Sequence, residues 1–128
     1  MELPWHKELD KLFLEKFGWR ARSEGVFAQA LPKYYSNPYL FFPAGSYKYV
    51  WSPKIQDLYR EVDNYLQWIG EELPYPEAKA KAQELVNTYI STGLSKAMKT
   101  NNEITFKCDA YYLVNRLIWP EIYHGLLK

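Results

Sequence analysis

Apolar residues recur at every third or fourth position in three stretches of the chain, which is the spacing of an amphipathic helix. The first stretch predicts a helix from about Trp5 to Phe17, with charged residues on the opposite face. Gly18 follows it and suits the position just after a helix, where the backbone turns left-handed. The chain is therefore expected to begin with a short helix that buries one face.

The second and third stretches predict two central helices. Ser52-Pro53 is expected to open the first of them, because serine is a favoured N-cap and proline fits the first helical position. The third helix is predicted from about Pro76 to Gly93, and Leu94 to Lys99 adds a further turn. The apolar stripe of the helix after Ser52 consists of Ile55, Leu58, Tyr59, Val62, Leu66 and Ile69.

Between the first and second helices the apolar period changes to that of strands. Gly25 to Ala28 predicts a short buried strand, and Leu31 to Pro38 a loop. Tyr39 to Phe42 predicts a second strand, which ends at Pro43-Ala44-Gly45. Beyond it, alternation with polar or smaller residues predicts one shared strand face for Tyr47, Tyr49 and Trp51.

Two more short strands are predicted near the end of the chain. Ile104, Phe106 and Cys108 alternate with polar residues, as in a half-buried strand, and a turn at Asp109 is expected to lead into a strand over 111–114. The order of helix, strands, two helices and strands predicts an α+β fold with a small sheet of short strands.

The length of 128 residues fits one domain, residues 1–128. Residues 116–128 are apolar and interrupted by Pro120 and Gly125, so they predict either a final short helix or an arm that docks on a partner. The aromatic content of 18% is high, with 12 Tyr, 6 Phe and 5 Trp. Two interpretations stay open: a core built on large rings, or an aromatic interaction surface.

Charge and residue counts exclude several classes of protein. A net charge of +1, spread evenly along the chain, gives no basis for strong nucleic-acid binding. No apolar run approaches the ~20 residues of a membrane span. The single cysteine, Cys108, has no partner for an internal disulfide, and His6 and His124 show no metal-ligand spacing, so no metal is expected. We expect a protein of the cytoplasm, or of a particle assembled there.

One constellation suggests chemistry. Arg20, Arg22 and Ser23 precede the first predicted strand, where a guanidinium can bind a diphosphate and a hydroxyl can hold a ribose. Glu103 opens a later strand, and a carboxylate there can stabilise positive charge developing on a sugar ring. The alternative interpretation is that these are ordinary charged residues at the ends of strands.

Three segments resemble ADP-ribosyltransferase-like proteins of tailed bacteriophages: 17–28, 39–54 and 102–114. The resemblance extends over most of residues 5–115. It implies that Arg22 and Ser23 lie at the second strand of that fold and hold NAD, that Tyr35 stacks on the nicotinamide, and that Glu103 is the catalytic carboxylate.

The chain also departs from that family. The family's Thr-Gly is replaced by Gln29-Ala30, its Tyr-Gly reads Tyr35-Ser36, and its first strand would precede a helix that here starts near Trp5. The resemblance therefore implies either a scaffold without NAD or a site that a partner completes.

Three functions follow as expectations. The first is a structural or interaction protein of a phage particle, as an oligomer or docked on other virion proteins. The second is an NAD-dependent mono-ADP-ribosyltransferase that acts on host proteins. The third is a small phage inhibitor that binds a host protein through Tyr47, Tyr49 and Trp51. The expected location is the virion or the host cytoplasm.

Overall fold

The computed structural model describes residues 4–29, 39–69 and 75–115, and within them the chain forms helices around a three-stranded sheet. In chain order the elements are α1 (Pro4–Phe17), α2 (Ala21–Glu24), β1 (Val26–Ala28), β2 (Tyr39–Trp51), α3 (Leu58–Ile69), α4 (Tyr75–Asn87), α5 (Leu94–Met98) and β3 (Ile104–Asn115). The strands are antiparallel in the order β1-β3-β2. The predicted α+β class is confirmed. The expected loop 31–38, Tyr35 and the arm 116–128 lie outside the described residues.

Helix α1 forms where the apolar period predicts it. Its buried face carries Trp5, Leu9, Leu12 and Phe13. Gly18 adopts a left-handed backbone with φ +85°, and its N–H donates to the Leu14 carbonyl at 2.9 Å. That conformation favours glycine, since other residues meet a clash between Cβ and the backbone.

Helix α3 begins five residues later than the sequence predicts. Asp57, and not Ser52, is the N-cap: its carboxylate accepts the Arg60 N–H at 3.1 Å. The Ser52 side chain is buried, shares a 2.7 Å hydrogen bond with the Thr88 hydroxyl, and accepts the Lys54 N–H. Ser52 therefore closes a local turn and fixes the sheet to the segment after α4.

The predicted stripe of this helix is partly wrong. Leu58 is buried and Val62 packs against the same core, but Tyr59 is 57% exposed. Ile55 is buried although it precedes the helix. Tyr59 lies about 100° around the helix axis from Leu58, so its ring is at the edge of the buried stripe and faces solvent.

Strands β2 and β3 are longer than predicted. The expected stop at Pro43 and the expected turn at Asp109 are both wrong, since each residue lies inside a continuous strand. Proline in sheets is found in edge strands and next to bulges, and Pro43 lies in the edge strand β2, one residue before the register shift that starts at Ala44. The register shifts between Ala44 and Tyr47, which inserts one extra residue into β2.

The sheet separates two apolar cores. Val50 and Trp51 are consecutive in β2 and fully buried, and they belong to different cores because strand side chains alternate. Val50 joins the larger core with α1, α3 and α4. Trp51 joins the smaller one with Ile104, Phe106 and Ala97 of α5. Strand β1 is less buried than predicted, since Phe27 at its centre is 40% exposed.

The far part of the β2–β3 ribbon bends back over the smaller core. Phe41 pairs in register with Leu113, yet its ring centroid lies 5.2 Å from that of Phe106. Seven residues of flat strand would span about 23 Å. The register shift at Ala44 is the point at which the ribbon can bend, because an extra residue increases local twist.

Helix α4 ends at Asn87, earlier than the predicted Gly93. Lys16 of α1 completes its end: the ammonium donates to the carbonyls of Val86, Asn87 and Tyr89 at 3.2, 3.2 and 2.7 Å. A cation is favourable there because the last carbonyls carry partial negative charge. The chain then turns away, and Ile90 pairs with Trp51 at the edge of the sheet.

Candidate functional site

Glu103 is placed at the end of the sheet by its own backbone. It directly precedes β3, and its N–H donates to the Gln56 carbonyl at 2.8 Å, just ahead of α3. Its side chain is 15% exposed. The carboxylate thus lies in a mostly buried position between the mouth of β3 and the start of α3.

Arg22 reaches the same place from the short helix α2. Its backbone N–H donates to the buried Asp10 carboxylate at 2.7 Å, so α1 holds α2 in position. Its guanidinium stacks over the Phe27 ring, with Cζ 4.6 Å from the centroid. The side chain is 10% exposed, and Nη1 lies 3.7 Å from Glu103 Oε1. The structure therefore brings together two of the predicted site residues.

The other two predicted residues do not join the pair. Ser23 is exposed on α2, and both Arg22 and Ser23 lie in this helix, not in a strand as the resemblance implied. A single helical turn forms here because Asp10 accepts the Arg22 N–H and the Glu24 carboxylate accepts the Arg20 N–H. Tyr35 lies outside the described residues.

The pair is electrostatically unusual. Burial raises the pKa of Glu103 to about 7, the charge of Asp57 adds to that rise, and Arg22 opposes it. At 3.7 Å the two groups attract each other without a hydrogen bond, so desolvation of the carboxylate outweighs the attraction. Within the described residues, Glu103 Oε1 and Arg22 Nε have no hydrogen-bond partner.

The charge of Glu103 also affects the pKa of the Tyr89 hydroxyl. The Tyr89 side chain is 2% exposed, and burial together with the nearby Glu103 charge raises the pKa of its hydroxyl. Its ring meets Phe13 edge-on at 5.0 Å, inside the larger core. The predicted helix from Pro76 to Gly93 contains Tyr89, but its apolar period does not indicate that the hydroxyl is close enough to Glu103 to be affected by its charge.

The cleft next to Arg22 is too small for a dinucleotide. Its volume is about 30 Å³, which holds one or two waters, whereas ligand pockets are typically several hundred Å³. Glu103 is not among the residues that line this cleft, and Arg22 Nη1 lies 3.7 Å from its carboxylate. The described residues do not fit NAD in this arrangement. The cleft is lined by Trp5, His6, Leu9, Arg22, Leu58, Tyr59, Val62 and Asp63.

A larger groove of about 410 Å³ lies elsewhere, and the sequence did not indicate it. We name it the edge groove; it is lined by Lys16, Phe17, Trp19, Tyr47, Lys48, Tyr49 and Ser91. Tyr47 and Tyr49 share a face, as predicted, and both rings contact Phe106. Trp51 is fully buried and its Nε1 donates to the Thr92 carbonyl at 2.7 Å, so it is no part of an exposed aromatic surface.

Apolar side chains are also exposed on the distal half of the β2–β3 ribbon. We name this the ribbon surface; Tyr112 is 67% exposed, Leu113 56%, Tyr111 45% and Phe42 36%. Phe42 and Tyr112 are directly paired across the two strands, and Tyr111 and Leu113 alternate with them. Both faces of the ribbon therefore carry exposed rings or aliphatic groups.

Membrane-spanning helices and clusters of metal ligands would each indicate a class of protein. Among the helices in the described ranges, none is long and apolar enough to cross a membrane. In the same part of the chain, no group of three or more His, Cys, Asp or Glu residues could hold a metal ion. No protein-family model, curated protein or solved structure matches this chain.

Proposed function

We propose that this protein acts by binding other proteins, as a component of a phage particle built on an ADP-ribosyltransferase-like scaffold. The observation that carries the proposal is the ribbon surface, where the directly paired Tyr112 and Phe42 are exposed on one face and Leu113 is exposed on the other. Exposed apolar groups that adjoin one another are characteristic of interaction sites, since burying them on a partner removes their contact with water.

The Arg22–Glu103 pair supports the same proposal. Both side chains are mostly buried and face each other, and the adjoining cleft holds only a water or two. A catalytic carboxylate must reach its substrate, whereas a pair enclosed in this way joins α2 to the start of β3. We assign the pair a structural role in this proposal.

The setting in a phage particle rests on the sequence resemblance, and it is directly testable. Purified particles of a phage that encodes this chain are analysed by quantitative mass spectrometry, beside particles from a strain encoding Tyr112→Ser. We expect the wild-type protein at a fixed copy number and the Tyr112→Ser protein at a reduced one. The matched control, Tyr59→Ser, alters a tyrosine on α3 that is also more than half exposed, and it should be incorporated normally.

Absence of the wild-type protein from particles would contradict the proposal. If the protein is instead recovered from infected cells bound to a single host protein, and Tyr112→Ser abolishes that binding, the result would support the hypothesis of an inhibitor of a host protein. Size-exclusion chromatography of the purified chain shows whether the ribbon surface already joins two copies.

An NAD-dependent ADP-ribosyltransferase is the second candidate. It is favoured by one observation: Arg22 and Glu103, the two charged residues that the resemblance selects, meet at 3.7 Å. The function requires the pair to separate and a pocket to open. Thermal shift with millimolar NAD tests it on wild type and Glu103→Gln. We expect no stabilisation of either; a rise for both that saturates with NAD would favour the transferase, because a ligand that binds only the folded state stabilises it.

A further inference from the structure

The edge groove runs along the free edge of β2. Trp51 marks where that edge is already paired: its N–H donates to the Ile90 carbonyl at 3.0 Å, and the Ile90 N–H donates to the Trp51 carbonyl at 2.9 Å. The Trp51 peptide groups therefore point away from β3. Beyond this bridge the chain continues to Ser91 at one end of the groove, and β2 runs on without a neighbour among the described residues on that side.

The alternation of an antiparallel ladder gives the direction of the next peptide groups. Val50 and Lys48 exchange hydrogen bonds with β3, so Tyr49 and Tyr47 direct their N–H and C=O groups outward, as Trp51 does. No described residue outside the sheet is hydrogen-bonded to these four groups. The groove thus has a floor of backbone donors and acceptors in the arrangement that another strand would pair with.

The two sides of the groove differ in chemistry. Tyr47 and Tyr49 form an aromatic side, and the Tyr49 ring is fixed because its hydroxyl accepts the Leu94 N–H at 3.0 Å. Lys48 lies on the opposite face of β2 and is exposed. In register it stands across from Lys107, whose ammonium is 3.5 Å from Glu24.

Charge on the lysine side is not neutralised within the described chain. None of the described carboxylates forms an ion pair with Lys48. Lys16, at the same groove, gives its three donors to carbonyls at the end of α4, so it adds positive charge but no free donor. Lys48 is therefore the group available to an incoming anion.

We propose that the edge groove binds an extended segment of a partner protein, which adds as a strand to β2 with an acidic residue opposite Lys48 and apolar residues opposite Tyr47 and Tyr49. Directly opposed residues on neighbouring strands share a face, so one acidic position between two apolar ones matches the two sides of the groove. The open backbone groups supply affinity and the alternating side chains supply selectivity. The inference rests on the proposed binding function and names the chemistry of one partner.

The first test uses a fluorescein-labelled peptide of alternating valine and glutamate, with binding to the full chain followed by fluorescence anisotropy. We expect saturable binding that is at least about tenfold weaker for Lys48→Glu. Lys99→Glu makes the same charge change at an exposed lysine after α5 and should bind within about twofold of wild type. Thermal melting checks that both variants fold.

A second probe separates strand addition from simple charge attraction. The same peptide with N-methyl groups on alternate residues keeps its carboxylates but loses backbone donors, and we expect it not to bind. Three results would overturn the inference: no binding of the parent peptide at millimolar concentration, equal binding of the methylated peptide, or equal loss in Lys48→Glu and Lys99→Glu.

Failure of this inference is distinguishable from failure of the proposed function. If the protein is incorporated into particles but does not bind the peptide, the proposed function is supported and the binding of a strand at the edge groove is rejected. If the protein binds the peptide through Lys48 but is absent from particles, the binding of a strand at the edge groove is supported and the role in a phage particle is rejected.

Discussion

The Arg22 guanidinium lies 3.7 Å from the Glu103 carboxylate, and this contact joins the short helix after α1 to the strand that ends the described chain. Within the described part of the structure, Glu103 Oε1 and Arg22 Nε each have no hydrogen-bond partner. A buried charge of this kind weakens the fold unless its partner compensates fully. The consequence is a dependence of stability on pH.

Glu103 should make the protein less stable as pH rises. Its pKa is raised from 4.5 to about 7 in the folded state, so between these values the folded chain holds a proton that the unfolded chain has released. Stability therefore falls through this window, by up to about 3 kcal/mol. Urea unfolding of wild type and Glu103→Gln from pH 4.5 to 8 measures it, and the variant should lack this decline.

The matched control for that prediction is Glu84→Gln, which changes a side chain that is 69% exposed. Its pH profile should parallel that of wild type. If Glu103→Gln also parallels wild type, the carboxylate titrates normally and the assigned burial is wrong.

Asp57→Asn should act on Glu103 as well as on α3. Asparagine is also a good N-cap, so the free energy of unfolding should change little, whereas Asp57→Ala should lose about 0.5–2 kcal/mol. Both variants remove a negative charge that raises the pKa of Glu103. The pH-dependent decline should therefore shift to lower pH in both. An unchanged decline would show that Asp57 and Glu103 do not interact.

Leu58→Ala should destabilise the larger core by about 2–5 kcal/mol, since it leaves a cavity where the side chain is 2% exposed. Leu14→Ala is the control, because Leu14 is 37% exposed on α1 and should lose less than about 1 kcal/mol. Chemical denaturation of the two variants measures the difference. Equal losses would contradict the register of α3.

Gly25→Ala should destabilise the junction of α2 and β1. A Cβ at this position would overlap Thr105 Cγ2 and the Ala21 carbonyl oxygen, and overpacking of this kind loses about 1–3 kcal/mol. Gly45→Ala meets nothing within 4 Å, but its φ is +71°, so only the left-handed backbone opposes it, by about 1 kcal/mol. The melting temperature of Gly25→Ala should be lower than that of Gly45→Ala. The reverse order would show that Gly25 lies farther from Thr105 of β3 than the structure has it.

The candidate site was accessible to sequence reasoning only in part. Arg22 and Glu103 were selected by their residue types and by a resemblance, and the structure does bring them together. The two charged groups lie 3.7 Å apart, are mostly buried, and the pKa of Glu103 is raised. All three properties depend on the packing of α1 and α3 around the pair. The sequence pattern indicated Tyr47 and Tyr49 but not the groove that they line, because a free strand edge is defined by which neighbour is missing.

Local periodicity by itself determined α1, its end at Gly18, the α+β class and the shared face of Tyr47 and Tyr49. These features depend on residues within a few positions of one another, and so a pattern along the chain contains them.

Only the tertiary structure decided where α3 begins and how far the strands run. Ser52 is a good helix cap, but its hydroxyl pairs with Thr88 on a distant segment, so Asp57 takes that role. Pro43 and Asp109 favour turns locally, yet both lie inside continuous strands. Pro43 is paired with Tyr111, and Asp109 lies opposite the register shift between Ala44 and Tyr47. Remote hydrogen bonds of about 0.5–1.5 kcal/mol each are of the same size as such local preferences, so the sum of remote contacts decides between them. The sequence alone does not state which remote residues meet.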